Sequence, residues 1–565
     1  MTATDPTTLA LTGQLPFILS AGAILALPLS FLLLYLYRRA VLKRMNRRSE
    51  RAAGPQKVAA APEAGQRDTG GELSMKIFEA AGKQDLLHPE GTLYRKACSS
   101  PRRAGLVYLA GGSLFAGVMA LCFLRASNSE ILPMRLLILF WIYTWPLVLT
   151  LSLVAEAQRR TKLLLVAAHL AGLVMLAALV LARSPDSSVG QLAVLWLGTN
   201  LPPTVLLLVF LIRRVRAVGP LVVAFMVLAL TGSNLILSLL DRRQALMRKV
   251  AEVGFSLGLG GTGVFWAFIL VGFLLFAVLG WLVLQWIRRL YQAKSINDQS
   301  LILDALWLLF GVSYSVGLVF EGAPWIISGL GAFALYKVSV LLGFRLVVPA
   351  TGAPRAATLL LLRVFSLGKR SEELFDAVTR HWRYLGPVQL ITGPDLAEAT
   401  VEPHEFLAFL GGKLDLQFID GPETLARRVN ELDARPDFDG RFRVNDFFCH
   451  DDTWRISLER LVGSSDVVLM DLRGFAPRNA GCVYEVQELI NRAPLGQVVM
   501  TVDETTDLPF LEKTLREAWA GISADSPNRR GTGEVRIVRL DAPGGAGFFT
   551  LLRLLCASAE AGKAS

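Results

Sequence analysis

The sequence predicts a multi-span α-helical membrane domain followed by a cytosolic α/β domain with a parallel sheet. Hydrophobic residues make up 53% of the 565 residues and charged residues only 19%. The mean hydropathy is +0.46, which is high for a soluble globular protein. Long apolar runs fill much of the chain before residue 350. After Pro354, shorter apolar runs alternate with helical segments, which is typical of a parallel α/β fold.

Residues 1–37 are predicted to be an N-terminal transmembrane anchor. The apolar run 15–37 is long enough to cross the hydrocarbon core. Basic residues follow it directly, namely Arg38, Arg39, Lys43, Arg44, Arg47 and Arg48. Cytosolic flanks of membrane spans are enriched in such residues, so the N-terminus is expected outside. Clusters of this kind account for the net charge of +11 without a nucleic-acid partner, and they predict a lipid bilayer as the partner instead.

Residues 38–103 are predicted to form a flexible cytosolic linker. The segment is rich in Ala, Gly, Pro, Lys and Glu, and it lacks a long apolar run. A short helix is expected near residues 75–81.

Residues 104–350 are predicted to form a polytopic membrane domain of about eight helices. The spans are 104–124, 133–155, 163–183, 191–212, 220–240, 262–287, 301–320 and 325–348. With the anchor they predict a multi-pass protein of the bacterial inner (plasma) membrane, with the C-terminal domain in the cytoplasm. The basic loop 241–253 is expected outside and argues against this orientation. It is either an amphipathic interfacial helix, or the span count is wrong by one.

Few ionisable residues fall within the predicted spans. Asp304 lies near the start of the span 301–320, and Glu321 lies at its end. Intramembrane carboxylates are functional candidates, but positions this close to an interface favour solvated end residues. No charge ladder or inverted repeat is visible, which weakens a transporter interpretation.

Residues 355–565 are predicted to form the cytosolic α/β domain. Its expected strands are 358–365, 387–392, 466–471, 497–502 and 534–540, with 441–449 as an extra strand. Helical patterns separate these strands, so we expect helices on both faces of a parallel sheet. The order suggests a flavodoxin-like sheet of about five central strands.

The stretch from residue 465 to residue 492 carries the strongest functional signal. A buried strand ends at a polar turn that contains Asp471 and Arg473, and a helix capped by Asn479 carries Glu485. Open α/β sheets bind ligands just beyond the carboxyl ends of their strands. The sequence therefore predicts a ligand site at this turn.

The run SDVVLMDLRGF…NAGCVYEVQEL resembles the third strand and following helix of TIR domains. Residues 481–485 match the Cys-x-x-Glu pattern of that family, with Gly481 where Trp is usual. The resemblance implies a TIR-like domain, related to nucleoside deoxyribosyltransferases, that assembles as a homo-oligomer. It also implies NAD as substrate of a glycohydrolase reaction, with Glu485 as the catalytic carboxylate and no bound cofactor.

The chemistry of such a site is physically reasonable. Cleavage of an N-glycosidic bond builds positive charge on the sugar, and a nearby carboxylate stabilises it. Arg473 and Arg370 are candidates for binding phosphates, Asp471 for binding a ribose hydroxyl, and Ser366 for a further ligand contact. Each assignment has an alternative that remains open. Glu485 is either catalytic or a solvated surface residue, and Asp471 and Arg473 either contact a ligand or simply pair with each other.

No metal site is predicted. The run Cys449-His450-Asp451-Asp452 contains ligand-type residues, but adjacent residues do not easily converge on one ion. Capping of the helix that begins near Thr453, by Asp451 or Asp452, is the favoured interpretation. Cys482 is interpreted as a small buried residue, and reduced thiols are expected.

Three functions follow. The first is a membrane receptor or signalling effector whose TIR-like domain binds or cleaves a nucleotide such as NAD. The second is a non-catalytic assembly or ligand-sensing module on a membrane anchor. The third is a transporter or channel regulated by the soluble domain.

Overall fold

The computed structural model describes residues 6–52, 73–79, 91–154, 159–183, 188–210, 215, 218–348, 356–363, 369–392, 403–432, 434–450, 452–529, 533–540 and 546–564. The chain divides into two compact units. The helical unit comprises Met1–Tyr37, Gly105–Phe344 and Val401–Leu410. The sheet unit comprises Arg38–Ala104, Arg345–Thr400 and Gly411–Ser565.

Long apolar helices dominate the first 350 residues. Within the described residues, eight helices are long and apolar enough to cross a membrane, or up to nine if a bent pair counts as one span. This pattern suggests a multi-pass membrane protein. The α-helices of this region are Pro6–Ala52, Thr92–Ala126, Pro133–Tyr143, Trp145–Val154, Arg159–Arg183, Val189–Phe210, Gly219–Arg242, Gln244–Ser256, Gly261–Gln292, Asp298–Leu318 and Ser328–Val347.

The predicted span 133–155 is a bent pair of helices. Pro133–Tyr143 and Trp145–Val154 meet at an angle of 40°. The break falls at Thr144, whose hydroxyl donates to the carbonyl of Trp141 at 2.7 Å. Pro146 follows in the first turn of the second helix. Proline lacks a backbone N–H, so it starts a helix more easily than it continues one.

The basic loop 241–253 is largely helical. Gln244–Ser256 forms a helix on which both apolar and basic side chains are exposed, among them Met247, Arg248, Lys249 and Val253. Of the two interpretations offered by the sequence, the amphipathic helix agrees with this structure.

Glycines allow close helix crossings in the helical unit. A Cβ atom on Gly272 would lie 2.7 Å from the carbonyl oxygen of Gly232 on the neighbouring helix. At a second crossing, a Cβ atom on Gly329 would overlap the carbonyl oxygen of Gly311. Small residues at such points let helix backbones approach closely, which is how helices associate in an apolar environment.

The sheet unit contains eight parallel strands in the order β1-β8-β7-β6-β2-β3-β5-β4. The strands are β1 (Leu73–Phe78), β2 (Leu359–Arg363), β3 (Val388–Thr392), β4 (Phe418–Ile419), β5 (Val444–Cys449), β6 (Val467–Asp471), β7 (Val498–Val502) and β8 (Gly533–Arg539). The strands β3, β4 and β5, which follow β2 in the chain, lie on one side of β2 in the sheet. The next strand, β6, pairs with β2 on its other side. The direction in which strands are added therefore reverses between β2 and β6.

Helices cover both faces of the sheet. In β2, Leu360 and Leu362 join the core beneath the helix Ala480–Arg492, whereas Leu359 and Leu361 join the core that contains Trp382. This alternation is the period of two expected for a strand. The α-helices after residue 350 are Lys369–Trp382, Pro403–Leu410, Pro422–Asn430, Trp454–Val462, Ala480–Arg492, Leu508–Ala520 and Ala546–Ala564.

The six predicted strands are present, but two strands were not predicted. One is the two-residue edge strand β4. The other is β1, which lies where a short helix was expected near residues 75–81, so that prediction is wrong. In β1, Leu73 pairs with Gly533 and Phe78 with Val538, and this pairing with a distant strand decides the conformation.

The helix Pro403–Leu410 belongs to the helical unit, although the sequence assigned it to the α/β domain. Its buried Phe406 and Leu407 pack in a cluster with Val218 and Leu284. The predicted helix is therefore present, but its apolar face is buried among the long helices.

Candidate functional site

The carboxyl ends of β2, β6 and β7 align residues of the sheet unit in one row. Arg363 pairs in register with Asp471, and Asp471 pairs with Thr501. All three are the last or next-to-last residues of their strands. They lie where the winding of the sheet reverses, the position at which open parallel sheets bind ligands.

Asp471 and Arg473 form a buried ion pair at this edge. Nε of Arg473 lies 2.8 Å from Oδ1 of Asp471, and Nη2 lies 2.8 Å from Oδ2. The hydroxyls of Thr501 and Ser371 donate to the same carboxylate, at 3.1 and 3.3 Å. The two residues therefore pair with each other, as one of the two interpretations held. Neither presents an unused charge to a ligand in this conformation.

Arg370 extends this cluster towards solvent. Its carbonyl oxygen accepts from Nη2 of Arg473 at 2.9 Å. Its own Nη2 lies 3.4 Å from Oδ2 of Asp503, and its side chain is 50% exposed. Asp503 is held in turn by the backbone N–H and the hydroxyl of Thr505. Arg370 is thus the accessible cation of the cluster. Ser366 lies outside the described residues.

Glu485 lies on the helix Ala480–Arg492, and its side chain is near Arg363 at the end of β2. Its residue surface is only 2% exposed. Oε2 has no hydrogen-bond partner within the part of the chain that the structure describes. It borders a cavity of about 10 Å³, room for one water molecule at most. The cavity is also lined by Leu361, Leu362, Arg363, Phe375, Leu390 and Ile391.

Burial controls the protonation of Glu485. Desolvation raises its pKa from 4.5 to about 8, although the positive charge of Arg363 acts in the opposite direction. The carboxyl group is therefore mainly neutral at pH 7 in this conformation. The interpretation of Glu485 as a solvated surface residue is wrong, because the helix Ala480–Arg492 turns this side chain into the sheet unit.

Arg363 is a site residue that the sequence reasoning missed. It is 5% exposed, and its guanidinium lies over the ring of Phe375 at 5.9 Å. Its carbonyl oxygen accepts from the buried thiol of Cys482 at 3.7 Å. The signal was visible in the sequence, since an arginine directly after four leucines ends a buried strand and has to be compensated.

The four described residues of the predicted site thus form two groups. Arg473 contacts both Asp471 and Arg370 directly. Glu485 borders the cavity beside Arg363 instead. Asn479 precedes the helix as predicted, but its Oδ1 accepts from the backbone of Ala476 at 3.0 Å and does not cap the helix.

The region around His450 shows no metal-binding arrangement among the described residues. Burial raises the pKa of Cys449 to about 12, and its thiol donates to Ser457 at 3.2 Å. Nε2 of His450 lies 3.1 Å from Oδ1 of Asp420. The N-cap of the next helix is Thr453, without a side-chain capping bond, so Asp452 does not occupy the N-cap position. Asp451 lies outside the described residues.

The helical unit contains a part-buried ion pair. Lys337 donates to Asp304, and each side chain is 21% exposed. Asp304 is therefore paired with a neighbouring helix and is not only a solvated end residue. Lys337 was missed, although a single lysine halfway along the apolar helix Ser328–Val347 is itself a signal for a buried partner.

Comparisons with models of protein families, with curated proteins and with solved structures find no match to this chain.

Proposed function

We propose that the chain is a multi-pass inner-membrane receptor or effector whose C-terminal TIR-like domain binds a nucleotide such as NAD. The observation that carries the proposal is Glu485. It is a buried carboxyl group with one unpartnered oxygen, at the carboxyl edge of a central strand. In the proposed orientation the N-terminus is outside and the sheet unit is cytoplasmic, where nucleotides are abundant.

The strand order supports a flavodoxin-like fold. Read from β3, the strands β3-β2-β6-β7-β8 follow the order 2-1-3-4-5, with β1, β4 and β5 added at the edges. In that fold the ligand lies between the first and third strands, which here are β2 and β6. These are the strands that end in Arg363 and Asp471.

The residues differ in their proposed roles. Arg370 is accessible and is the candidate for a phosphate contact. Asp471 and Arg473 satisfy each other, so we assign them the role of holding the end of β6 in place. Glu485 would lie beside the N-glycosidic bond and stabilise the positive charge that develops on the ribose. A cationic nicotinamide ring next to Glu485 would favour its ionised form.

Binding requires a rearrangement near Glu485. A cavity of about 10 Å³ is far smaller than the several hundred Å³ typical of ligand sites. Side chains that line it, Phe375 and Arg363 among them, would have to move for a nucleotide to reach the carboxyl group. Cleavage of NAD requires this movement, so it is tested separately from binding.

The test is incubation of the detergent-solubilised full chain with NAD at high protein concentration, followed by measurement of free nicotinamide. Glu485→Gln should lower the release at least about 100-fold, because it removes the only charge that we place at the reacting bond. Glu512→Gln, at an exposed carboxylate of another helix, is the matched control and should leave release unchanged. Intact NAD in the wild-type reaction would exclude the enzymatic version.

A non-catalytic assembly or ligand-sensing module is the second candidate. The closed surroundings of Glu485 and the mutual pairing of Asp471 and Arg473 favour it. It predicts saturable NAD binding without release of nicotinamide, and full biological activity of a Glu485→Gln protein.

A transporter or channel regulated by the sheet unit is the third candidate. The Lys337–Asp304 pair supports it, because ionisable pairs inside membrane bundles often mark ion or proton pathways. Ion and proton flux into vesicles containing the reconstituted chain tests it. Flux that is equal with and without protein would exclude it.

A further inference from the structure

A second cavity lies in the helical unit, between three of the long helices. Its volume is about 690 Å³, within the range of pockets that bind small molecules. The helices Pro6–Ala52, Gly219–Arg242 and Gly261–Gln292 form its walls. The lining residues are Gln14, Phe17, Ile18, Leu230, Ser233, Asn234, Leu237, Ser238, Trp266, Ile269, Leu270 and Phe273.

Small residues lie beside the cavity where the helices come close. A Cβ atom on Gly22 would lie 2.9 Å from the side chain of Val227, and Gly272 packs directly on Gly232. Gly232 and Gly272 lie between residues that line the cavity, so the close approach of their helices forms one side of it.

The cavity wall is apolar except at Gln14 and at a short polar stripe on Gly219–Arg242. Ser233 donates to the carbonyl of Ile269 at 2.9 Å, and Ser238 donates to Oδ1 of Asn234 at 3.4 Å. Within the described part of the chain, no group accepts a hydrogen bond from Nδ2 of Asn234. An amide donor in apolar surroundings favours a ligand that brings an acceptor, because an unpaired donor loses its hydration without compensation.

Most of the exposed residues that line the cavity are apolar. Phe17, Trp266 and Leu270 line it and are 69%, 61% and 55% exposed. They lie on helices with the length and composition of membrane spans. In the proposed membrane placement these surfaces face hydrocarbon, so the occupant enters from the bilayer.

We propose that this cavity binds a single-chain lipid amphiphile, with its apolar chain against Phe17, Leu270 and Phe273 and a carbonyl or hydroxyl oxygen accepting from Asn234. The volume accommodates one chain and is too small to enclose a two-chain phospholipid. The proposal rests on the membrane placement but not on NAD chemistry, so nicotinamide release and lipid binding can fail independently.

The experiment uses the full chain reconstituted in phosphatidylcholine nanodiscs. The probe is palmitic acid carrying a photoreactive diazirine, and cross-linked peptides are mapped by mass spectrometry. We expect saturable labelling within Gly219–Arg242 and Gly261–Gln292 that unlabelled palmitic acid displaces. A diacyl phosphatidylcholine carrying the same diazirine is the second arm, and it should label lipid-facing helices without saturation.

Two variants test the site itself. Ser238→Phe fills the cavity and should abolish the saturable labelling. Val174→Phe adds the same ring to an exposed apolar position on Arg159–Arg183, which does not line the cavity, and should leave labelling unchanged. Asn234→Leu keeps the volume but removes the amide. It should weaken binding about fivefold, the effect of one lost hydrogen bond.

Three results would overturn the proposal. One is palmitic-acid labelling that does not saturate. Another is labelling that survives Ser238→Phe in a protein whose elution profile matches the wild type. The third is wild-type affinity in Asn234→Leu, which would refute the assigned hydrogen bond even if Ser238→Phe failed to fold.

Discussion

The carboxylate of Asp471 accepts two parallel hydrogen bonds from the guanidinium of Arg473, each 2.8 Å long. Both side chains are almost fully buried, with Asp471 at 0% and Arg473 at 4% exposure. The sequence indicated Asp471 and Arg473 as ligand contacts. In the structure they bind each other. They fix the turn after β6, from which the helix carrying Glu485 departs.

Arg473→Met should destabilise the sheet unit by about 3–5 kcal/mol, because it leaves the carboxylate of Asp471 buried without its counter-charge. Chemical denaturation of the detergent-solubilised chain, followed by hydrogen exchange in β6, measures this loss. The double variant Asp471→Asn with Arg473→Met should recover part of it, since no isolated charge remains. A loss below about 1 kcal/mol in the single variant would show that the pair is not the main support of this turn.

The stability of the sheet unit should fall as pH rises. The folded pKa of Glu485 is raised from 4.5 to about 8, so the folded state binds the proton more tightly than the unfolded state. The free energy of unfolding gains several kcal/mol from this tighter proton binding. The gain is fully present below pH 4.5 and is lost as pH rises through about 8. Hydrogen exchange in β2 across this pH range measures the change.

Glu485→Gln should remove most of this pH dependence, because glutamine is neutral throughout and nearly the same size. Glu512→Gln should leave it intact. An unchanged pH profile in Glu485→Gln would assign the effect to another group.

Neutralising one member of the Lys337–Asp304 pair should lower the thermal stability of the protein more than neutralising both members does. Lys337→Met leaves the carboxylate of Asp304 among apolar helices without this counter-charge, and Asp304→Asn removes the carboxylate that Lys337 contacts. We expect each single variant to lower the thermal stability of the detergent-solubilised protein. The double variant should lie closer to the wild type, with a coupling energy of about 1–3 kcal/mol. Strict additivity of the two losses would contradict a direct interaction.

Gly329→Ala should disrupt the packing of Asp298–Leu318 on Ser328–Val347. The added methyl group would overlap the carbonyl oxygen of Gly311, and backbone cannot yield as a flexible side chain can. Gly331→Ala is the control, because its Cβ would meet nothing within 4 Å. Thermal unfolding in detergent should show a clear loss for Gly329→Ala. Gly331→Ala should be neutral or slightly stabilising, since alanine favours helix.

The sequence predicted the central strands because their signal is local. Parallel strands buried on both faces are continuous apolar runs, as in Leu359–Arg363 and Val498–Val502. β1 has no such signal. Its six residues include Lys76 and a largely exposed Ile77, and they become a strand only through pairing with β8. Interactions between residues this far apart in sequence are not encoded in a local pattern.

The candidate site was predictable in position but not in environment. The strand-turn-helix pattern located Asp471, Arg473 and Glu485 at one edge. The burial of Glu485 depends on Arg363 and Phe375, which come from other elements. The partner of Asp304 likewise lies on another helix. Which charged groups meet is decided by tertiary packing, and a single sequence does not show it.

The pairing of β1 with β8 restricts how the chain is threaded through a bilayer. In the proposed membrane placement, two strands of one sheet must lie on the same face of the membrane, so the proposal requires an even number of crossings between Phe78 and Gly533. All but the first of the eight candidate helices in the described chain lie in this interval, which is an odd number. The bent pair Pro133–Tyr143 and Trp145–Val154 restores parity only if it counts as one full crossing. In the proposed membrane placement, adding the first helix makes the number of crossings by described helices odd, which agrees with an N-terminus outside and a cytoplasmic sheet unit.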